Sequence, residues 1–149
     1  MDKIKKRAEN LKKRFSSSDP FRICEEMGIS LFYTDLPSTV NGLFFKCLKN
    51  YIIIVNDSLS FEECRVNVAH ELGHILLHGG TNSFQLSMYT DIPISKLEQQ
   101  ANYFASCLLI DEDELTHDYC GSALSVEDIA SISRLPESLV QLYFVHKSE

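Results

Sequence analysis

The segment from Ser60 to Gly80 constrains the fold more than any other part of this 149-residue chain. Ser60 and Glu63 have the spacing of a capping box, in which two side chains bind otherwise free backbone N–H groups at a helix start. The residues that follow keep strong helical character until the Gly79-Gly80 pair, which readily ends a helix. We therefore predict one long helix from Phe61 to His78.

This helix carries the sequence His70-Glu71-Leu72-Gly73-His74, an H-E-x-x-H pattern. Two histidines four residues apart stand about 40° apart around a helix and one turn along it, so both imidazoles can reach one ion. Glu71 lies about 100° from His70, where its carboxylate can touch a metal-bound water without being a ligand. His70 and His74 are therefore candidate zinc ligands, and Glu71 is a candidate general base.

A pattern with three fixed positions also arises by chance, so a third ligand is needed to support it. Glu98 lies on the next predicted helix, which runs from about Ile94 to Ile110, in line with Ala101 and Asn102. A carboxylate on that side could complete a His-His-Glu set, which is one of the usual donor sets of catalytic zinc. Ser95 and Glu98 also have capping-box spacing, so Glu98 could instead cap its own helix.

His78 is a competing ligand, because positions 70, 74 and 78 form a stripe on an ideal helix. It stands about 12 Å along the axis from His70, too far to share one ion unless the helix bends. We interpret His78 either as a last-turn residue favoured by the helix dipole or as a group that hydrogen-bonds to a ligand. A tyrosine could donate to the oxyanion, and the sequence does not choose among Tyr89, Tyr103 and Tyr119.

Shorter elements are predicted on both sides of the motif helix. Before it, the pattern predicts one helix that ends in the cluster Ser16-Ser17-Ser18-Asp19, a second that begins at Pro20 and closes at Gly28, and three strands, the last two a hairpin. The strands are Ile29 to Thr34, Gly42 to Cys47 and Tyr51 to Val55. The last elements are two short helices, Val126 to Ser133 and Pro136 to His146.

The composition, 44% apolar and 23% charged, is that of a globular protein with one core. No long apolar window and no apolar leader occur, so we expect no membrane span and a cytoplasmic location. The five cysteines are scattered and never form Cys-x-x-Cys, which argues against a disulfide framework and a thiolate zinc site. Seven of the fourteen basic residues fall between Lys3 and Arg14 and the rest of the chain is acidic, so we expect no direct nucleic-acid role.

Two blocks of the chain resemble the ImmA/IrrE metallopeptidases of bacteria, phages and integrative elements. The first block runs from Val68 to His78, and the second is Glu98-Gln99-Gln100-Ala101-Asn102-Tyr103-Phe104-Ala105 with Leu108-Leu109. The resemblance covers about Ile29 to Leu115 and departs at Ile110-Asp111, where the family usually has Met-Pro. It implies that Glu98 is the third zinc ligand.

The resemblance also implies a fold and a substrate. The expected fold class is α+β: a single metallopeptidase domain over residues 1–149, with a short three-stranded sheet packed on the H-E-x-x-H helix and the remaining helices around it. N-terminal helices are expected over 1–28, a catalytic core over 29–115 and C-terminal helices over 116–149. For members on mobile elements, the implied substrate is a helix-turn-helix repressor whose cleavage releases the element's genes.

Two other functions are compatible with the sequence. The first is a non-enzymatic zinc-binding anti-repressor that acts by binding its partner, although three ligands would leave open a position that structural zinc sites usually fill. The second is a DNA-binding regulator, because Val126 to Tyr143 resembles a helix-turn-helix pattern. Arg134 is the one basic residue in that segment, so phosphate neutralisation would be poor. We therefore expect a zinc-dependent metallo-endopeptidase.

Overall fold

The structure is a computed structural model that describes residues 1–79, 94–112, 115 and 124–147. Its elements are α1 (Asp2–Phe15), α2 (Pro20–Glu26), β1 (Ser30–Thr34), β2 (Gly42–Cys47), β3 (Asn50–Asn56), α3 (Phe61–Leu77), α4 (Ile94–Leu109), α5 (Val126–Ser133) and α6 (Glu137–Lys147). Every helix and strand predicted in this part of the chain is present, with ends close to those expected. The α+β class is confirmed.

The three strands form one sheet in the order β1-β3-β2. The predicted hairpin of β2 and β3 is antiparallel, with Leu43 opposite Ile54. β1 runs parallel to β3, with Leu31 opposite Ile53, so the chain passes through β2 before it returns to pair with β1. Ile53 and Val55 are fully buried, and β2 and β3 both contact α3. The sheet therefore presents its edge strand β2 beside the motif helix.

The first helix packs into the core through Ile4, Ala8 and Leu11, which recur at helical spacing. It contacts α4, and Lys12 Nζ donates a 2.7 Å hydrogen bond to the carbonyl oxygen of Ile110. This bond satisfies a carbonyl at the end of α4, where helix carbonyls have no partner within the helix. α1 therefore supports α4 at the position where the sequence departs from the family pattern.

The predicted capping box at the start of α3 is present. Ser60 Oγ accepts from the N–H of Glu63, and the Glu63 carboxylate accepts from the N–H of Ser60. Hydrogen bonds from the backbone and the side chain of Ser60 hold the pKa of Glu63 below its usual value. The chain therefore enters α3 at a defined residue, which sets the rotation of the motif residues that follow.

Helices α3 and α4 run antiparallel, since Arg65 reaches the Leu109 carbonyl while His78 contacts Gln100. Gly73 lies where the two helices meet. A Cβ atom at Gly73 would lie 3.1 Å from the carbonyl oxygen of Ala101 and 3.1 Å from Cδ1 of Phe104, closer than ordinary van der Waals contact. The missing side chain therefore lets α4 approach the motif helix.

The C-terminal helices complete one shared core. Ser125 and Asp128 form a second capping box at the start of α5, and α6 packs against α4. The cluster of buried apolar residues runs from Ile4 to Tyr143, so it joins the N-terminal helices, the sheet and the C-terminal helices. Within the described ranges, none of the helices has both the length and the apolar character needed to cross a bilayer.

Candidate metal centre

One face of α3 forms the floor of a cleft of about 880 Å³. Asn67, His70, Glu71 and His74 line it together, as residues spaced by three or four positions on a helix must. The opposite side of the cleft is the start of β2 with the loop before it, and α4 contributes Glu98 and Asn102 to the lining. The turn between α5 and α6 closes one side.

Three side chains bring nitrogen and oxygen atoms to one point in this cleft. Glu98 Oε2 lies 3.2 Å from His70 Nε2, and Glu98 Oε1 lies 3.3 Å from His74 Nε2. The two Nε2 atoms are 3.1 Å apart. Tetrahedral zinc with ligands at about 2.0 to 2.1 Å requires donor atoms about 3.3 Å apart. The donor separations therefore fit a zinc ion.

The tautomer of His70 follows from its other ring nitrogen. Nδ1 lies 2.8 Å from Asn102 Oδ1, and a carboxamide oxygen can only accept a hydrogen bond. Nδ1 of His70 therefore carries the proton, which leaves the lone pair of Nε2 directed at the cluster.

The tautomer of His74 is set through two further residues. Gln100 Oε1 lies 3.1 Å from His78 Nε2, so that nitrogen is the donor and Nδ1 of His78 is an acceptor. His74 Nδ1 lies 3.1 Å from His78 Nδ1 and donates to it. His74 Nε2 is then also unprotonated. His78 therefore has the second of the two roles expected for it, as a hydrogen-bond partner of a candidate ligand.

This arrangement directs two imidazole lone pairs and one carboxylate at each other, and three acceptors at such distances repel unless a cation lies among them. The shift in the pKa of His70 agrees with a site that attracts a cation. Burial lowers the pKa of His70, but the hydrogen bond with Glu98 and the charges of Glu71 and Glu98 outweigh that effect, so the pKa is raised. The cluster therefore attracts positive charge.

Glu71 is buried beside the cluster, with 6% of its surface exposed. Burial raises the pKa of its carboxyl group, while the nearby His70 and His74 act in the opposite direction and Glu98 adds to the increase. An upward shift makes this carboxylate a better proton acceptor than an exposed glutamate. Phe44 of β2 stacks on His74, with ring centroids 5.9 Å apart, and shields this side of the cluster.

The structure also bears on the other residues singled out in the sequence, namely the tyrosines, Ser95 and the cysteines. Tyr103 is buried in the core against the ring of His146 and does not line the cleft, whereas Tyr89 and Tyr119 lie outside the described residues. α4 already includes Ser95, so that residue does not cap the helix from outside. Cys24, Cys64 and Cys107 are buried free cysteines, Cys47 is exposed, and Cys120 lies outside the described residues.

Sequence reasoning missed the supporting contacts of the site. Asn102 stands one turn after Glu98 on α4, a spacing that the sequence displays, but its bond to His70 depends on how α3 and α4 pack. Gln100 and His78 meet only because the two helices are antiparallel. These contacts join residues far apart in sequence, so no local pattern signals them.

Comparison with known proteins identifies the family. The family model described as the IrrE N-terminal-like domain matches residues 24–139, a longer stretch than the resemblance seen in the motifs. The chain is similar to the metallopeptidase ImmA of Bacillus subtilis strain 168, with 31% identity over 137 residues, covering 89% of this chain and 79% of ImmA. It is also similar to the uncharacterized immunity region protein 2 of Bacillus phage phi105, with 28% identity over 139 residues, 93% of this chain and 87% of that protein.

A solved structure, described as a Mycobacterium tuberculosis transcriptional regulator, has the same fold. It superposes with a TM-score of 0.65 at 15% identity, covering 95% of this chain. The chain spans only 46% of that larger protein, and the likeness concerns the fold alone. The family model and the ImmA relative together show that the chain belongs to the ImmA/IrrE family of metallopeptidases.

Proposed function

We propose that this chain is a zinc-dependent endopeptidase that cleaves a helix-turn-helix repressor. In this proposal His70, His74 and Glu98 bind the zinc ion, and Glu71 is the general base. The observation that carries the proposal is the convergence of donor atoms from three side chains at separations that suit zinc, next to a buried carboxyl group with a raised pKa.

The donor set supports a catalytic rather than a structural metal. Structural zinc sites usually have four protein ligands, whereas catalytic sites have three and keep one position for water or substrate. Among the described residues, the histidine, cysteine, aspartate and glutamate side chains that group closely enough to hold an ion are His70, His74 and Glu98. The cleft beside them is open to a substrate, as catalysis requires.

When bound, zinc supplies a Lewis acid that polarises the amide carbonyl and lowers the pKa of the attacking water. The Glu71 carboxylate takes a proton from that water as the water oxygen adds to the carbonyl carbon. Glu71 then delivers the proton to the amide nitrogen, and the C–N bond breaks to give a carboxylic acid and an amine. Asn102 and His78 keep the two imidazoles oriented during this sequence.

The proposed substrate is supported by the relatives. One relative is named as an immunity region protein of a phage and another as the metallopeptidase ImmA. Both names agree with the repressor substrate that the family resemblance implies for members on mobile elements. Cleavage of a repressor in the bacterial cytoplasm would release the genes of a phage or mobile element.

The decisive experiment compares wild-type protein with Glu71→Gln, using as substrate a purified helix-turn-helix repressor sought among the products of genes near this one. Wild type should cut the repressor, and Glu71→Gln should bind zinc but produce no fragment, since an amide cannot take the proton. Glu26→Gln, at an exposed carboxyl group on α2, is a matched control and should cut at the wild-type rate.

Two outcomes would contradict the proposal. Cleavage by Glu71→Gln at the wild-type rate would remove the general base from the mechanism. Release of the repressor from its operator by Glu71→Gln, without any fragment, would instead favour a non-enzymatic anti-repressor that acts by binding.

A further inference from the structure

Asn67 lies on the cleft face of α3 and has no part in the mechanism described so far. It precedes His70 and Glu71 by one helical turn and lines the cleft with them. One turn corresponds to about 5.4 Å along the helix axis. Asn67 is therefore close to the proposed reaction centre.

The carbonyl end of this side chain is buried. Asn67 Oδ1 is the one buried side-chain oxygen or nitrogen in the described part of the chain that has no hydrogen-bond partner. It lies only 2.2 Å from where a Cβ atom would stand at Gly42, the first residue of the edge strand β2. The Asn67 carbonyl therefore fills the space that a side chain at residue 42 would occupy.

The amide end of Asn67 faces the other way. Nδ2 makes no hydrogen bond within the described ranges, and it is not among the buried unpaired atoms there. It is therefore accessible to solvent, and Asn67 is one of the residues that line the cleft. The cleft thus contains a free N–H donor. Its orientation is fixed because the carbonyl of the same side chain packs against Gly42.

We propose that Asn67 binds the main chain of the substrate by donating a hydrogen bond from Nδ2 to a peptide carbonyl oxygen near the scissile bond. This inference rests on the proposed endopeptidase function. An extended peptide advances about 3.3 Å per residue, so the one-turn offset from Glu71 corresponds to a carbonyl one or two residues from the bond that is cut. Asn67 is therefore a substrate-positioning residue.

The contacts of Asn67 argue against a purely structural role. A buried acceptor without a partner destabilises the folded state, so this side chain weakens the fold that holds it. Replacing it by leucine, which has nearly the same shape, removes the unpaired oxygen. If Asn67 served only to stabilise the fold, its replacement by leucine would lower the free energy of unfolding.

The test uses Asn67→Leu and Asn67→Asp in the full chain loaded with zinc, with the repressor of the cleavage assay as substrate. Asn67→Leu should melt at the same temperature as wild type or higher and bind zinc with wild-type affinity. Its kcat/KM should fall by about tenfold, mainly through KM, as expected for one lost hydrogen bond. Asn67→Asp keeps an oxygen beside Gly42 and lacks the N–H donor, so it should lose activity as well.

A binding measurement separates this inference from the proposed function. In the Glu71→Gln background, the repressor should bind about tenfold more weakly when Asn67→Leu is added. The matched control is Asn10→Leu, at an exposed asparagine on α1, which should change neither binding nor cleavage.

Unchanged repressor binding by the Asn67→Leu protein, wild-type activity in Asn67→Asp, or parallel losses of stability and activity would each overturn the role of Asn67. A wild-type chain that cuts no repressor would overturn the proposed function. The binding comparison would still decide the role of Asn67.

Discussion

Replacing Gly73 with alanine tests how closely α3 and α4 must approach for the proposed metal ligands to meet. Alanine is about 1 kcal/mol better than glycine inside a helix. Its Cβ would lie 3.1 Å from the Ala101 carbonyl oxygen and 3.2 Å from Ala101 Cα, and both atoms belong to the backbone of α4. Overpacking of this kind costs about 1 to 3 kcal/mol, so the net loss of stability should be at most about 2 kcal/mol.

The effect on metal binding should be larger than the effect on the fold. Relief of the contact requires α4 to move by a few tenths of an ångström, and Glu98 lies on α4 one turn before Ala101. Metal sites tolerate ligand displacements of only about 0.2 Å. We therefore expect the zinc affinity of Gly73→Ala to fall at least tenfold, or about 1.4 kcal/mol, in a competition titration with a chelator.

The control for this prediction is Gly28→Ala, at a glycine after α2 with φ of +70° and no atom within 4 Å of an added Cβ. Backbone strain there should lower the free energy of unfolding by about 1 kcal/mol without changing zinc affinity. Wild-type zinc affinity in Gly73→Ala would mean that the close approach of α4 does not position Glu98.

Three further predictions concern the groups around the site. Asn102→Leu removes the acceptor for His70 Nδ1–H, so zinc affinity should fall by about 10- to 100-fold in the same titration. Because hydrogen bonds from Ser60 lower the pKa of Glu63, that carboxylate stabilises the fold above its unfolded pKa of about 4.5, and the stability is lost as the pH falls through the folded value. Urea unfolding at about pH 7 and about pH 4 should therefore show a smaller acid-induced loss in Glu63→Gln than in wild type. Lys12→Met leaves the Ile110 carbonyl without its partner and should lower the free energy of unfolding by about 1 to 3 kcal/mol in urea at neutral pH.

Local patterns were sufficient to predict most of the secondary structure and the candidate ligands. The capping box at Ser60 and Glu63 places the start of α3, and helical spacing then puts His70 and His74 on one side. Glu98 was proposed from its helix and from the family resemblance, and the structure brings its carboxylate between the two imidazoles. These features depend on residues close in sequence or on a motif.

The tertiary contacts depend on how elements that are distant in sequence pack together. The parallel pairing of β1 with β3 and the close approach at Gly73 join segments far apart in the chain. The contact between Asn67 and Gly42 also joins distant segments, since one residue lies on α3 and the other on β2. Periodicity and turn chemistry describe single elements, so they do not reveal which side chain meets which glycine.

In the proposed site, His70, His74 and Glu98 hold a catalytic zinc ion while Glu71 serves the reaction without binding the metal. The zinc content of purified Glu98→Ala and Glu71→Gln proteins, measured by mass spectrometry after dialysis, separates these two roles. We expect one zinc ion per chain in wild type and Glu71→Gln, and almost none in Glu98→Ala. Full zinc content in Glu98→Ala, or loss of zinc from Glu71→Gln, would contradict the account.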